Sequence, residues 1–330
     1  VDPLLSIILT GRNDGHGGDF LTRFYRCLQF NHQQLVSRSI PHEIVFVEWA
    51  PPRDRTRIFE LVFEAIPGLD RDVCSWYEVD GLYQEALSLN PRLTYLEFIA
   101  KNVGVRRARG RFVLTTNCDV FLGQHVLDVL GGGGLKTRVV YRAPRYDITL
   151  DAEPSAFDWE VLEDPRILAG PQRVLKPPFM GGATGDFVLL DRESFHELRG
   201  FNEVYRAARF GVDRNFLVKA LSAGLAIEDI GGPVYHQTHE GSYRSSSDTY
   251  AGREDQAHWG KTKWHARGVI YANPSGWGLS DAPVRPESAH RSVLDFSWSA
   301  VPPLVDLKRV VLPVARLGAP SPGRYVPSTR

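Results

Sequence analysis

Apolar and polar positions in the first two thirds of the chain switch repeatedly between two patterns. The apolar run LLSIILT (4–10) reads as a buried strand, EIVFVEW (43–49) and RFVLTT (111–116) as further strands, and CSWYEV (74–79) as a less regular one. The stretches between them repeat at about 3.6 residues. Asp19 to Ser37 places Leu21, Phe24, Leu28 and Leu35 on one face, and the run with Ile58, Leu61, Val62 and Ala65 stops at Pro67-Gly68. Tyr95 to Arg109 reads as a helix closed by Gly110. Strands separated by helices at this interval predict an α/β fold with a doubly wound, mainly parallel sheet. Further on, RVVYR (138–142) reads as a strand, FVLLDRESFHEL (187–198) as a strand and helix, and Asp213 to Ala223 as a helix ended by Gly224. Residues 143–180 are proline-dotted and aperiodic, the signature of a functional loop region. Residues 282–330 are proline-rich and read as an extended tail that wraps the domain or joins a neighbour.

Composition narrows the classes. At 330 residues, one large α/β domain with appendages fits. Lys+Arg and Asp+Glu both number 39, so the chain lacks the basic excess of a general nucleic-acid binder, and no nucleic-acid partner is expected. No apolar run approaches the roughly 18–20 residues of a membrane span, so no integral membrane segment is expected either. Cys27, Cys74 and Cys118 are odd in number, scattered and outside any CxxC pattern. That argues against a disulfide framework or a cysteine zinc site and favours a cytoplasmic setting, although a removed leader or anchor is compatible with this start.

Ligands of open parallel sheets bind at the carboxyl ends of the strands. The polar residues there are Thr10-Gly11-Arg12-Asn13-Asp14, Glu48-Trp49 and Asn117-Cys118-Asp119. Asp119 either ligates a divalent cation that holds a diphosphate or caps the helix read after it, the commoner role on that segment alone. His236 and His239 follow a short strand-like run; they are cation ligands of a kind that suits Mn²⁺ or Zn²⁺ better than Mg²⁺, or two loop histidines. In GGATGDF (181–187), glycines permit close backbone approach and Asp186 can accept a sugar hydroxyl, against the plainer reading of a tight turn. Asp213 is a general base or a helix cap. Glu48 is placed to bind a base or ribose, with Trp49 packing on the same ligand or closing the core. Asn102 and Arg106, four apart on a helix, share a side and can face one crevice, against a solvated basic face.

In this order, the segments resemble the inverting GT-A type glycosyltransferases, close to family 2. The resemblance spans residues 4 to about 245 and is carried by KNVGVRRARGRFVLTTNCD and GDFVLLDRESFHELRGFNE. It implies a GT-A type Rossmann-like domain over 1–245, with a nucleotide-binding half (1–120), an acceptor and metal-completing half (121–245), and a C-terminal extension (246–330). It also implies transfer of a sugar from a nucleoside-diphosphate sugar, UDP favoured, to a glycan or other hydroxyl acceptor, dependent on Mn²⁺ or Mg²⁺. By position, Thr10, Arg12, Glu48, Asn102, Arg106, Asn117, Asp119 and Asp186 would meet the nucleotide or donor. Asp213 would be the catalytic base, and Asp119 with His236 or His239 would hold the cation. The chain departs from the family at Asn117, where D-x-D begins with an acid, at Val212, where an acid precedes the base, and at Glu48, where an Asp is usual. It lacks the Q-x-x-R-W motif of processive synthases, which favours single addition. Two other readings compete: a sugar nucleotidylyltransferase, which would need a more basic glycine loop than GRNDGHGGD (11–19), and a non-catalytic glycan- or nucleotide-binding module. Acceptor specificity is expected in 143–180 and 243–280, where Trp259, Trp264 and Trp277 either stack on sugar or pack the tail.

Overall fold

The computed structural model describes residues 2–91, 93–150, 158–169, 175–176, 180, 182–206, 211–239 and 272–302. The strands are β1 (Leu5–Gly11), β2 (His42–Trp49), β3 (Cys74–Val79), β4 (Phe112–Thr116), β5 (Val120–Leu122), β6 (Val139–Arg142), β7 (Arg145–Ile148), β8 (Phe187–Asp191), β9 (Ala226–Asp229), β10 (Val234–Gln237), β11 (Val284–Pro286) and β12 (Arg291–Leu294). The helices are α1 (Phe20–Ser37), α2 (Ile58–Ala65), α3 (Gly81–Leu87), α4 (Glu97–Arg107), α5 (Gln124–Gly131), α6 (Trp159–Leu162), α7 (Arg192–Glu197) and α8 (Val212–Ser222).

Nine strands form the central sheet in the order β11-β12-β3-β2-β1-β4-β8-β6-β9. β12, β3, β2, β1 and β4 run parallel, while β8 is antiparallel to both β4 and β6. Chain order reverses direction at β1, whose neighbours are β2 on one side and β4 on the other, so a crevice opens at the carboxyl ends of β1 and β4. A separate three-stranded sheet, β5-β10-β7, stands beyond the end of β4.

Successive residues of β1 and β2 enter opposite cores, as continuous apolar runs require. Ile7, Leu9, Ile44 and Phe46 pack with Phe24 and Leu28 of α1 and Val62 of α2. Ile8 and Val45 face the other side with Val105 of α4, Phe195 of α7 and Phe216 of α8. Asp19 caps α1 by accepting the Thr22 amide, so the helix itself begins at Phe20, one residue after the start that the pattern gives. α4 begins at Glu97, two residues later than the periodicity suggests, and lies so close to β1 that a Cβ on Gly104 would meet Ile8 Cγ2 at 2.4 Å.

Within the proline-rich C-terminal stretch, residues 284–294 add two strands to the edge of the central sheet, β12 pairing parallel with β3. No apolar pattern announces them because β11 is exposed at all three positions and β12 is half-buried. Trp277 is buried against His196 and Arg106; Trp259 and Trp264 lie outside the described residues. All three cysteines are free and buried. Among the described residues, no helix is long and apolar enough to cross a membrane.

Gly104→Ala tests the α4 contact. Helix propensity alone would add about 1 kcal/mol. The stiff, buried Ile8 leaves no room for the methyl, so a net loss of about 1–3 kcal/mol is expected in urea unfolding. A gain would show that α4 is free to shift.

Candidate functional site

The small sheet assembles a cluster that no single segment announces. β10 pairs antiparallel with β5, opposing His236 to Val120, and the Gln237 amide donates to the Asp119 carbonyl at 2.9 Å. Asp119 therefore lies beside β10 just before β5. It caps no helix: the residue flanking α5 is Gly123. Asp119 Oδ2 lies 3.6 Å from His236 Nε2 and 3.5 Å from His239 Nε2, and one donor atom from each of the three residues lies within 4.8 Å of the others. The two carboxylate–imidazole separations exceed hydrogen-bond length. They lie a few tenths of an ångström above the spacing of ligands around a shared ion, roughly 3.0–3.4 Å for metal–ligand bonds near 2.1 Å, so small side-chain shifts would close the set on an ion. One carboxylate and two imidazoles suit a transition-metal dication such as Mn²⁺. Burial would raise the Asp119 carboxyl, but His236, His239 and Arg23 together hold it below its ordinary value.

Arg23 ties the glycine-rich loop to this cluster. Its Nε is 3.8 Å from Asp119 Oδ2, and its other nitrogens donate to the carbonyls of His16 and Gly17. A Cβ on Gly17 would stand 2.3 Å from His239 Nδ1, so only glycine lets the loop pass. His16 brings its ring edge-on to His239 at 5.5 Å.

A buried polar series runs from the cluster along the end of β4. His236 Nδ1 donates to Asp147 Oδ1 at 2.8 Å, and Arg145 bonds that same oxygen at 2.8 Å and Asp186 Oδ2 at 2.7 Å. Asp186 Oδ1 accepts from Asn117 Nδ2 at 2.6 Å, and Asn117 Oδ1 accepts from Lys101 at 2.8 Å. Lys101 is fully buried and also donates to Glu97 and to the Gly185 carbonyl. Lysine only donates, so the Asn117 amide must turn its oxygen to Lys101 and its nitrogen to Asp186. An acid at 117 would instead set two carboxylates against each other. Gly185 donates its amide to Asp213 Oδ2 at 3.2 Å. Asp213 is the second residue of α8, not its cap, which is Gly211. Burial raises the Asp213 carboxyl above its usual range, with neighbouring Arg142 and Lys101 opposing.

Asn117, Asp119, Asp186, Asp213, His236 and His239 are thus brought together. Thr10 borders them, accepting from Tyr95 through its hydroxyl and from the Cys118 thiol through its carbonyl. Arg12 is held by Asp14 and the Thr94 carbonyl. Four residues expected near the donor are engaged elsewhere. Glu48 is buried, and both its oxygens accept the Ile58 amide at 3.1 Å, fixing the start of α2. Trp49 closes the core and donates to Gln84. Asn102 spends its amide on Phe201 and Glu203, while Arg106 stacks over Trp277 at 4.9 Å. Sequence reasoning missed Arg23, Arg145 and Asp147. The only available signal was Arg-x-Asp in RYDI, two charges on one face of a buried strand.

No family model matches the chain, and no curated protein matches it. Among solved structures it is similar to GalNAc-T7 with UDP, GalNAc and Mn²⁺ (TM-score 0.46, 14% identity, over 75% of this chain). The chain spans about half, 47%, of that protein's length. It is also similar to the catalytic domain of Drosophila β1,4-galactosyltransferase 7 in complex with xylobiose (TM-score 0.44, 13% identity, 90% of this chain and 96% of that one). A mutant of the same enzyme with manganese, UDP-Gal and xylobiose gives a TM-score of 0.42 at 13% identity, with the same coverage.

Burial pushes the Glu48 carboxyl up to about 7. Unfolded, it ionises near 4.5, so the folded state keeps a proton that the unfolded state loses between those values. Stability contributed by this group therefore falls as pH rises through that window, by up to about 3 kcal/mol. Glu48→Gln removes the titration and keeps an acceptor for Ile58. Its stability relative to wild type should rise between about pH 5 and about pH 8 in urea unfolding. A constant difference would show that Glu48 ionises normally.

Proposed function

We propose that the protein transfers a glycosyl group from a nucleoside-diphosphate sugar, UDP favoured, to a hydroxyl acceptor, with inversion and in single additions. The observation that carries this reading is the convergence of Asp119, His236 and His239 at the β1/β4 crevice, joined through Asp186 and Gly185 to a second carboxylate, Asp213. The order of segments along the chain, with its likeness to GT-A glycosyltransferases, supports it. So do the site's charges. A diphosphate needs cationic neighbours, and Arg23 with an ion held by Asp119, His236 and His239 would supply them at one end. An acceptor hydroxyl needs a base, and Asp213 stands at the other.

A cation bound by Asp119, His236 and His239 would offset the charge that grows on the leaving diphosphate. The chain's own groups do the rest. Asp213 accepts the proton of the acceptor hydroxyl as that oxygen attacks the anomeric carbon. The Gly185 amide orients its carboxylate, and the raised affinity for a proton makes it a stronger base than a surface acid. Asp186, fixed by Asn117 and Arg145, is set to accept sugar hydroxyls. Lys101 neutralises this acidic floor from below.

Asp213→Asn should lower kcat by about 10²–10⁴-fold while donor affinity stays within a few-fold. Wild-type kcat/KM should fall as pH drops through the raised Asp213 pKa, because only the ionised form accepts a proton. Unchanged turnover in Asp213→Asn would move the base elsewhere. Mn²⁺ with a nucleoside diphosphate at 100 times its dissociation constant should add about 2.7 kcal/mol of stability, and Asp119→Ala should abolish the cation-dependent part. Asn117→Asp, although closer to D-x-D, should weaken donor binding by roughly tenfold or more through repulsion of Asp186; tighter binding would refute the bridge assigned to Asn117.

A further inference from the structure

Asp147 and Arg145 lie two residues apart on β7, so their side chains leave the strand on the same face. Parallel pairing opposes Asp147 to His236. We propose that these two residues form a positioning relay that aims His236 Nε2 at the cation site and ties its orientation to Asp186; this rests on the cation-dependent reading of the site. A neutral imidazole carries one N–H and one lone pair. Asp147 Oδ1 takes the N–H of His236 Nδ1, which leaves the lone pair on Nε2, the atom facing Asp119. The oxygen that holds His236 also receives Arg145, whose other terminal nitrogen holds Asp186. One guanidinium therefore connects the group behind the cation ligand with the carboxylate set to meet the donor sugar. Rotation of either acid breaks a charge-assisted bond to the same arginine.

A purely structural role for the pair is the competing explanation. Backbone pairing already joins β7 to β10 along Arg145–Ile148, so the side chains are not needed to set the register. The relay instead makes a graded demand on residue 147. Asn keeps an acceptor for His236 Nδ1 but loses the charge; Leu loses both.

The test is Mn²⁺ titration of the full chain without donor, following free Mn²⁺ by electron paramagnetic resonance, with the thermal midpoint of the metal-free protein as a folding control. Wild type should bind Mn²⁺ and Asp119→Ala should not. Asp147→Asn should weaken binding about tenfold and Asp147→Leu about a hundredfold. The near-isosteric Asn variant decides the matter if Leu fails to fold. Wild-type binding with an unchanged dissociation constant in Asp147→Asn overturns the relay and leaves the cation site standing. No Mn²⁺ uptake by wild type overturns the cation site and the relay with it.

Discussion

Pairing of β10 between β5 and β7 is the constraint on which the rest of the site depends. Antiparallel pairing with β5 brings Asp119 alongside the strand, and parallel pairing with β7 sets Asp147 against His236. Side chains alternate along a strand, so a slip of one residue would turn His236 to the opposite face and disperse the cluster. The opposite face leaves little room for such a slip. Tyr235 and Ile148 pack there with Phe30, Phe121 and Cys27 of the smaller core. The apolar side of a short sheet thus fixes the polar side.

Charge balance is the second constraint. Asp119, Asp147, Asp186 and Glu97 converge in a largely buried region, where uncompensated carboxylates cost several kcal/mol each. Each meets a cationic side chain: Arg23 beside Asp119, Arg145 at Asp147 and Asp186, and Lys101 at Glu97, while the His236 imidazole hydrogen-bonds Asp147 and both imidazoles stand beside Asp119. Asn117 sits where this series would fail if one more acid were added. Its amide accepts from Lys101 and donates to Asp186, which a carboxylate cannot do. The departure from D-x-D is therefore consistent with its surroundings.

The long elements were legible because their patterns were long. β1, β2 and β4 are built on apolar runs, and α1 carries its apolar stripe over almost the whole span read from Asp19 to Ser37. Of the three strands that build the site, only β10 left a trace, the short strand-like run next to His236. β5, β7 and β10 have only three or four residues each, too few to show a period. β5 also runs through Gly123 into α5, so VFLGQHVLDVL reads as one helix and makes Asp119 look like its cap. Asp119, Asp186, Asp213, His236 and His239 could be named from residue type and order along the chain. Their coupling through Arg145, Asp147 and Lys101 could not, because it comes from strand register and helix burial. Glu48 shows the opposite error. A polar residue ending a strand at the crevice turned inward to hold the start of α2.

If strand register builds a cation site from one carboxylate and two imidazoles, the ion must sit among all three side chains. Anomalous X-ray scattering from crystals grown with Mn²⁺ tests it most directly. The expected peak lies about 2.0–2.3 Å from Asp119 Oδ2 and from Nε2 of both His236 and His239. A Mn²⁺ peak elsewhere, with these three side chains keeping their present separations, would contradict it.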